Sequence, residues 1–140
     1  MKLTGKAFIQ GRLVQAAVSA EGGIITAVEE LSGRHGGDYI LPGLVDVHTH
    51  GGFGADFTES SVEEICAALE QFARAGVTSV MATTSTAKKE ELLAAAGRIA
   101  DAAQESGRLG RCARILGINM EGPFFGEKKR GAQPAELLCG

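Results

Sequence analysis

Apolar residues in the first part of this chain are grouped in short runs that are typical of β-strands. Residues 13–18 and 24–28 are apolar runs, and Glu21-Gly22-Gly23 lies between them. Two such runs across a tight glycine-containing turn predict a β-hairpin. The polar, glycine-rich residues 32–38 then predict a loop. We place a domain boundary there, with strands in residues 1–38 and a different architecture in residues 39–140.

Beyond that boundary, three short apolar runs alternate with segments of helical spacing. The strands are predicted at residues 44–50, 77–83 and 113–120, and each is rich in β-branched or aliphatic side chains. Strands that alternate with helices predict parallel βα units with right-handed connections. The sequence therefore predicts an α/β fold.

Two helices are predicted between these strands. The first begins at a capping-box pair, Ser61 and Glu64, and ends at Gly76 in the position where helices commonly end. The second covers residues 88–106, is rich in alanine, and is predicted to end at Gly107. Each carries an apolar stripe along one face, so each should pack against the predicted sheet.

Composition narrows the class of protein. The chain has 140 residues, 44% of them hydrophobic and 22% charged, with a formal net charge of -3. This balance is typical of a globular domain and disfavours a disordered chain or a nucleic-acid-binding surface. No apolar run approaches the ~20 residues that cross a bilayer, and the start lacks a secretory signal. We therefore expect a cytoplasmic protein that binds neither nucleic acid nor membrane.

The cysteines do not suggest a disulfide framework. Cys66, Cys112 and Cys139 are an odd number and lack the spacing of a metal site. Cys66 lies on the apolar stripe of the first predicted helix, so we interpret it as a small core hydrophobe.

Candidate chemistry is concentrated at two strand ends. Residues 41–51 read Leu-Pro-Gly-Leu-Val-Asp-Val-His-Thr-His-Gly, and strand alternation puts Asp46, His48 and His50 on one face. Glu121 follows the third strand, and parallel strands gather functional groups at their carboxyl ends. Two imidazoles and a carboxylate form a ligand set for Zn²⁺ or a similar metal. Asp46 either orients a histidine or serves as a helix cap or a strand-end hydrogen-bond acceptor.

Two loops near the carboxyl ends of these strands each have two interpretations. Residues 51–56 are either a flexible segment that closes over substrate or a turn-rich connector. The charge run Lys128-Lys129-Arg130 is either solvated or near an anionic substrate. His35, in a polar loop, is expected to be solvated.

These segments resemble the amidohydrolase superfamily. Residues 41–52 resemble its first metal motif. Met-Glu-Gly-Pro-Phe-Phe at 120–125, with Lys-Lys-Arg-Gly-Ala-Gln-Pro at 128–134, resembles a branch that hydrolyses the acetamide of amino sugar phosphates. The resemblance implies that His48, His50 and Glu121 hold a divalent metal, with zinc expected and iron or manganese as alternatives. It also implies that Ala132 and Gln133 contact the N-acetyl sugar.

The resemblance implies the architecture as well. Residues 39–140 would form about three βα units at the start of a (β/α)₈ barrel. Residues 1–38 would be strands of a small flanking β-sandwich. Further metal histidines and the aspartate that moves the proton are expected on later strands. No catalytic residue is therefore expected within this chain, which we expect to be inactive alone.

Two alternatives remain open from the sequence. One is another amide hydrolase of the superfamily, such as a dihydroorotase-like enzyme. Such relatives usually bridge their metals with a modified lysine on a later strand, and no lysine ends a predicted strand here. The other is a non-catalytic remnant that folds by oligomerising, because three parallel strands do not close a barrel. A homo-oligomer is accordingly expected.

Overall fold

The chain forms two compact units, Met1–Pro42 and Gly43–Gly140. The computed structural model describes residues 1–33 and 37–139. His35, which the sequence predicted to be solvated, lies outside the described residues. Among those that are described, no helix has the length and apolar character needed to cross a bilayer.

The first unit is a four-stranded sheet of β1 (Lys2–Ile9), β2 (Arg12–Glu21), β3 (Ile24–Glu30) and β4 (Tyr39–Ile40). The strands lie in the order β3-β2-β1-β4. The predicted hairpin is confirmed as β2 and β3, which pair antiparallel across Gly22-Gly23. Both glycines have positive φ, 57° and 80°, as tight hairpin turns require.

The short strand β4 belongs to this sheet, because it pairs parallel with β1. Its two residues follow position 38, where the sequence predicted a change of architecture. Pairing of two residues along a free strand edge leaves no apolar period in the sequence, so pattern alone could not reveal it. The assignment of domains stays a prediction.

The second unit contains a three-stranded parallel sheet. The strands β5 (Leu44–Thr49), β8 (Val77–Thr84) and β9 (Arg114–Met120) pair in the order β5-β8-β9. Between β5 and β8 the chain forms a small hairpin of β6 (Gly51–Gly52) and β7 (Ala55–Asp56). The parallel pairing confirms the predicted βα units.

The first helix, α1 (Val62–Arg74), begins as the sequence predicted. The Glu64 backbone N–H donates to Ser61 Oγ at 3.3 Å, and the Ser61 N–H donates to Glu64 Oε2 at 2.8 Å. This capping box satisfies two backbone donors that the first turn leaves without intrahelical partners. Gly76, at φ 89°, follows the helix end.

The second helix, α2 (Lys89–Leu109), corrects one prediction. The predicted end at Gly107 is wrong, because the helix continues through Gly107 to Leu109 and is capped by Gly110, which has φ 66°. A glycine inside a helix costs about 1 kcal/mol relative to alanine and is tolerated when the helix packs well. The glycine that ends the helix is the one in the left-handed conformation.

The core of the second unit lies between the sheet and the two helices. Ile65, Leu69 and Ile99 are each at most 1% exposed, as are Phe57 and Val80. Burying such a side chain contributes roughly 1.5–3 kcal/mol, so these contacts fix the helices against the sheet. Cys66 is 8% exposed and joins the same cluster, which confirms its predicted role as a core hydrophobe.

Candidate metal centre

Three predicted ligands meet at the carboxyl edge of the parallel sheet. His48 lies in β5, His50 follows that strand, and Glu121 follows β9. Because β5 and β9 run parallel on either side of β8, their carboxyl ends lie at the same edge. The fold therefore brings together side chains that are far apart in the sequence.

The ligand atoms converge on a single small volume. His48 Nε2 lies 2.9 Å from Glu121 Oε2, and His50 Nε2 lies 3.1 Å from the same oxygen. All three ligand atoms lie within 4.8 Å of one another. The two imidazole rings meet edge to face, with centroids 5.3 Å apart and planes at 82°. Each ring thus presents a separate nitrogen to the same point.

The carboxylate oxygen at the centre of this cluster fits a cation. Glu121 Oε2 is buried and accepts no hydrogen bond from the described residues, so the two imidazole contacts lack hydrogen-bond geometry. A buried carboxylate oxygen without a donor is costly unless a positive group faces it. Two histidines and a glutamate are also a ligand set of catalytic zinc sites, which keep a further position open. The residues present therefore fit a divalent metal.

Each histidine of the cluster is also contacted at its other ring nitrogen. His48 Nδ1 lies 3.3 Å from Asn119 Nδ2, and His50 Nδ1 lies 3.3 Å from Ser85 Oγ. A side-chain amide can donate a hydrogen bond to a ring nitrogen through its NH₂ group or accept one through its oxygen, and a hydroxyl can likewise donate or accept. Such contacts fix the ring orientation and determine which nitrogen remains for a metal. Sequence reasoning missed Asn119 and Ser85.

A signal for both residues exists in the sequence. Asn119 is a polar residue near the end of the apolar strand β9, and Ser85 directly follows β8. The rule that identified Glu121 applies to both, since polar groups at the carboxyl ends of parallel strands lie at the same edge of the sheet.

The structure distinguishes between the two interpretations of Asp46. Its Oδ1 accepts a hydrogen bond from the backbone N–H of His48 at 3.1 Å. The carboxylate thus makes the strand-end hydrogen bond, and its described hydrogen bond is to the backbone and not to an imidazole. Asp46 supports the backbone that carries His48.

The backbone of Glu121 is fixed from the neighbouring strand. Its N–H donates to Thr84 O at 3.2 Å, and Thr86 Oγ1 donates to Glu121 O at 3.1 Å. Gly122 has φ 91°, and a Cβ there would lie 2.0 Å from Thr86 Oγ1. Only glycine allows this close approach. Gly122 therefore lets the backbone at Glu121 lie against the loop after β8, and this contact fixes the position of the Glu121 carboxylate.

Residues 51–56 form an ordered hairpin beside the site. Phe53 and Gly54 at its turn have φ of 52° and 90°, and the Phe57 N–H donates to His50 O at 2.8 Å. The Phe53 ring packs edge-on against Phe72, with centroids 5.2 Å apart. These contacts favour the connector interpretation of the loop.

The segment after Glu121 returns toward the cluster. Gln133 Nε2 donates to Glu121 Oε1 at 3.1 Å. The Arg130 guanidinium donates to the backbone oxygen of Gln133 and so holds this loop. Lys128 and Lys129 are exposed in a short 3₁₀ helix, Glu127–Lys129. Ala132 is exposed, and its predicted sugar contact stays a prediction.

Comparisons with known proteins identify the family to which this chain is similar. The sequence model of the Amidohydrolase family matches residues 39–126. The chain is 41% identical over 101 residues to an N-acetylglucosamine-6-phosphate deacetylase of Bacillus subtilis, a match that covers 71% of this chain and 25% of that protein. It is 35% identical over 119 residues to an N-acetylgalactosamine-6-phosphate deacetylase of Escherichia coli O157:H7, covering 83% of this chain and 31% of that protein.

A solved structure shows the same architecture. The crystal structure of N-acetylglucosamine-6-phosphate deacetylase from Thermotoga maritima superposes with a TM-score of 0.82 at 28% identity, covering 99% of this chain and 36% of that chain. The chain thus spans about a quarter to a third of the length of the curated relatives described above. The match confirms the predicted α/β fold class, the first part of a (β/α)₈ barrel preceded by the strands predicted for a small β-sandwich.

Proposed function

The chain belongs to the amidohydrolase family, and we propose that it supplies metal ligands and part of the sugar pocket of an N-acetylglucosamine-6-phosphate deacetylase. The reaction is hydrolysis of the acetamide to glucosamine 6-phosphate and acetate, a step of amino sugar catabolism. The family match confirms the superfamily identified from the sequence motifs. The observation that carries the proposal is the convergence of His48 Nε2, His50 Nε2 and Glu121 Oε2 on one point.

The amidohydrolase family implies a divalent metal, and these three side chains would hold it. When bound, such a cation polarises a carbonyl oxygen and lowers the pKa of water. We propose zinc, since two imidazoles and one carboxylate are typical zinc ligands, while iron and manganese accept the same donors. Glu121 brings the one negative charge of the described cluster. Asn119 and Ser85 orient the two rings.

The proton-transfer group is proposed to lie elsewhere in the protein. Glu121 is the one carboxylate of the described cluster, and both of its oxygens already have a role, Oε1 toward Gln133 and Oε2 toward the imidazoles. Hydrolysis of an amide needs a positioned acid and base to move a proton to the leaving amine. We propose that the aspartate expected on a later strand has this role. The isolated chain should then not turn over.

Exposed apolar side chains on both outer strands support this view of a larger barrel. Val45 and Val47 on β5 are 56% and 70% exposed, and Leu116 and Met120 on β9 are 51% and 52% exposed. Large apolar side chains exposed along the outer strands of a sheet are normally covered by further elements of the fold. We propose that later βα units cover these side chains, with residues 39–140 in the barrel and residues 1–38 in the flanking β-sandwich.

We further propose that the protein is cytoplasmic and forms a homo-oligomer. Native mass spectrometry tests the oligomeric state.

A chimeric enzyme tests the proposed activity. Residues 1–139 would replace the matching part of the Bacillus subtilis deacetylase, and acetate release from N-acetylglucosamine 6-phosphate would be measured. We expect the chimera to release acetate and its Glu121→Gln variant to lose the activity. The 140-residue chain alone, given zinc and the same sugar, should release none. A folded chimera that binds metal but is inactive, or turnover by the isolated chain, would contradict the proposal.

The identity of the sugar is a second question for the same assay. The similarity to the Escherichia coli O157:H7 protein makes N-acetylgalactosamine 6-phosphate a second candidate substrate. The two sugars differ only in the orientation of one hydroxyl group. Relative kcat/KM values of the chimera for the two substrates would decide between them, with the unphosphorylated sugar as control.

A further inference from the structure

The loop after Glu121 contacts the carboxylate oxygen of Glu121 that the imidazoles do not contact. Gln133 Nε2 donates to Glu121 Oε1 at 3.1 Å, while Glu121 Oε2 is buried and has no hydrogen-bond donor among the described residues. The two oxygens of one carboxylate therefore have different environments. One is satisfied by an amide, and the other faces two imidazole nitrogens.

We propose that Gln133 is a positioning residue for the metal centre, which holds the Glu121 carboxylate so that Oε2 is the oxygen presented to the cation. This inference rests on the proposed function, because it assumes that the cluster binds a divalent metal. It gives Gln133 a role distinct from the sugar contact that the sequence resemblance implied.

The chemistry of the glutamine amide suits this role. A free carboxylate can rotate about its last torsion, and either oxygen, or both, can then face a cation. A donor fixed on Oε1 removes that freedom. Because the amide is neutral, it leaves the full negative charge for a cation, whereas a lysine or arginine at this place would compete with the metal.

The loop holds Gln133 firmly enough for such a role. The Gln133 N–H donates to Arg130 O at 3.2 Å, and the Arg130 guanidinium donates back to the Gln133 carbonyl oxygen. Further along, the Cys139 N–H donates to Pro123 O at 3.0 Å. This last bond returns the loop to the segment that carries Glu121. The glutamine is thus fixed on the same short stretch of chain as the carboxylate that it holds.

The alternative is that Gln133 contacts only the sugar. The two roles differ in a measurement made without any sugar. A residue that binds only substrate leaves the metal affinity unchanged, while a partner of a metal ligand changes it by about 10–100-fold.

The test uses the 140-residue chain and zinc, with competition against a chromophoric chelator to measure Kd. Gln133→Met keeps nearly the same length and volume but has no N–H donor. We expect its zinc Kd to rise about 10–100-fold. Visible absorption of the cobalt-substituted chain should change in band position or intensity, since the orientation of the carboxylate ligand changes. Gln104→Met, on the exposed face of α2, is the matched control and should leave both readouts unchanged.

A second variant guards against a failure to fold. Gln133→Asn keeps the amide on a side chain one methylene shorter, which cannot span the distance to Oε1, and should weaken zinc binding to a similar extent. Circular dichroism checks that each variant is folded. Wild-type affinity in a folded Gln133 variant would overturn the positioning role and leave the metal centre standing. Absence of zinc binding by the wild-type chain would instead overturn the proposed centre itself.

Discussion

His50 Nε2 lies 3.1 Å from Glu121 Oε2 although a whole strand separates the two residues in the sheet. His50 follows β5, Glu121 follows β9, and β8 runs between them. The middle strand contributes as well, since Ser85, directly after β8, contacts His50 Nδ1. The site therefore depends on the register of all three parallel strands, which pairs Asp46 with Val80 and Thr84 with Met120.

The ligand assignment predicts how metal affinity responds to single substitutions. His48→Ala, His50→Ala and Glu121→Ala each remove one of the three converging atoms. We expect each to weaken zinc binding by more than about 100-fold, beyond the ~10–100-fold typical of changes behind a ligand. Zinc should also raise the midpoint of thermal unfolding in the wild-type chain, because a ligand of the native state stabilises it. Chelator should reverse that rise.

The third histidine supplies the control for this series. His35→Ala changes a residue that the sequence places in a polar loop, and it should leave zinc affinity unchanged. Unchanged metal content in both His48→Ala and Glu121→Ala would contradict the ligand assignment. A large effect of His35→Ala would show that imidazoles bind the metal without regard to this geometry.

Much of the site could be predicted because the relevant signals are local. His48 and His50 lie on one strand face, and Glu121 follows a strand, so strand alternation and the shared edge of parallel strands were sufficient. The same rule also places Asn119 near this edge, but its contact with His48 and the contact of Gln133 with Glu121 could not be predicted in this way. They depend on side-chain rotamers and on the return of a loop, neither of which leaves a period in the sequence.

The helix ends show the same difference between features that local sequence signals predict and features that depend on packing. Gly76 was correctly predicted as a helix end because a capping box fixed the start and the apolar stripe fixed the length. The predicted helix end at Gly107 was wrong because two glycines, Gly107 and Gly110, both follow the apolar stripe of α2. Which of them adopts a left-handed φ depends on packing of the last turn, where Ser106 is 4% exposed.

Gly122→Ala should disturb both stability and the metal site. The position has φ 91°, and an added Cβ would lie 2.0 Å from Thr86 Oγ1. The left-handed conformation alone costs an L-residue about 1–2 kcal/mol, so the free energy of unfolding in urea should fall by at least that amount. Zinc affinity should fall too, because relief of the clash moves Glu121. Gly126→Ala is the control, since a Cβ there meets nothing within 4 Å. Equal stability of the two variants would contradict the role of Gly122.

The three cysteines should differ in their rates of alkylation. Burial in the core raises the pKa of the Cys66 thiol, and burial also raises that of Cys112. The thiolate is the reactive form, so both should react slowly with iodoacetamide near pH 7.5. Cys139 is exposed and should be modified first. Mass spectrometry over time checks this order, and Cys139→Ser should remove the fast phase. Rapid modification of Cys66 in the folded chain would show that the helix packing is wrong.

Glu70 should make stability depend on pH in one direction. Arg111 Nε lies 2.9 Å from its Oε2, and Arg74 Nη2 lies 2.7 Å from its Oε1. Hydrogen bonds from the two arginines lower the pKa of the Glu70 carboxyl below its usual value, with the larger effect from Arg111 and the smaller from Arg74. A carboxylate with a lowered folded-state pKa stabilises the fold above its unfolded pKa of about 4.3, and this contribution is lost as pH falls through the folded value.

Glu70→Gln should therefore lower the thermal midpoint at pH 7, and the difference from wild type should shrink progressively below about pH 4. Glu105→Gln, which breaks a single 3.3 Å contact with Arg108, should have a smaller effect at pH 7. A Glu70→Gln difference that stays constant between pH 7 and pH 3 would show that the loss comes from packing and not from the ion pairs.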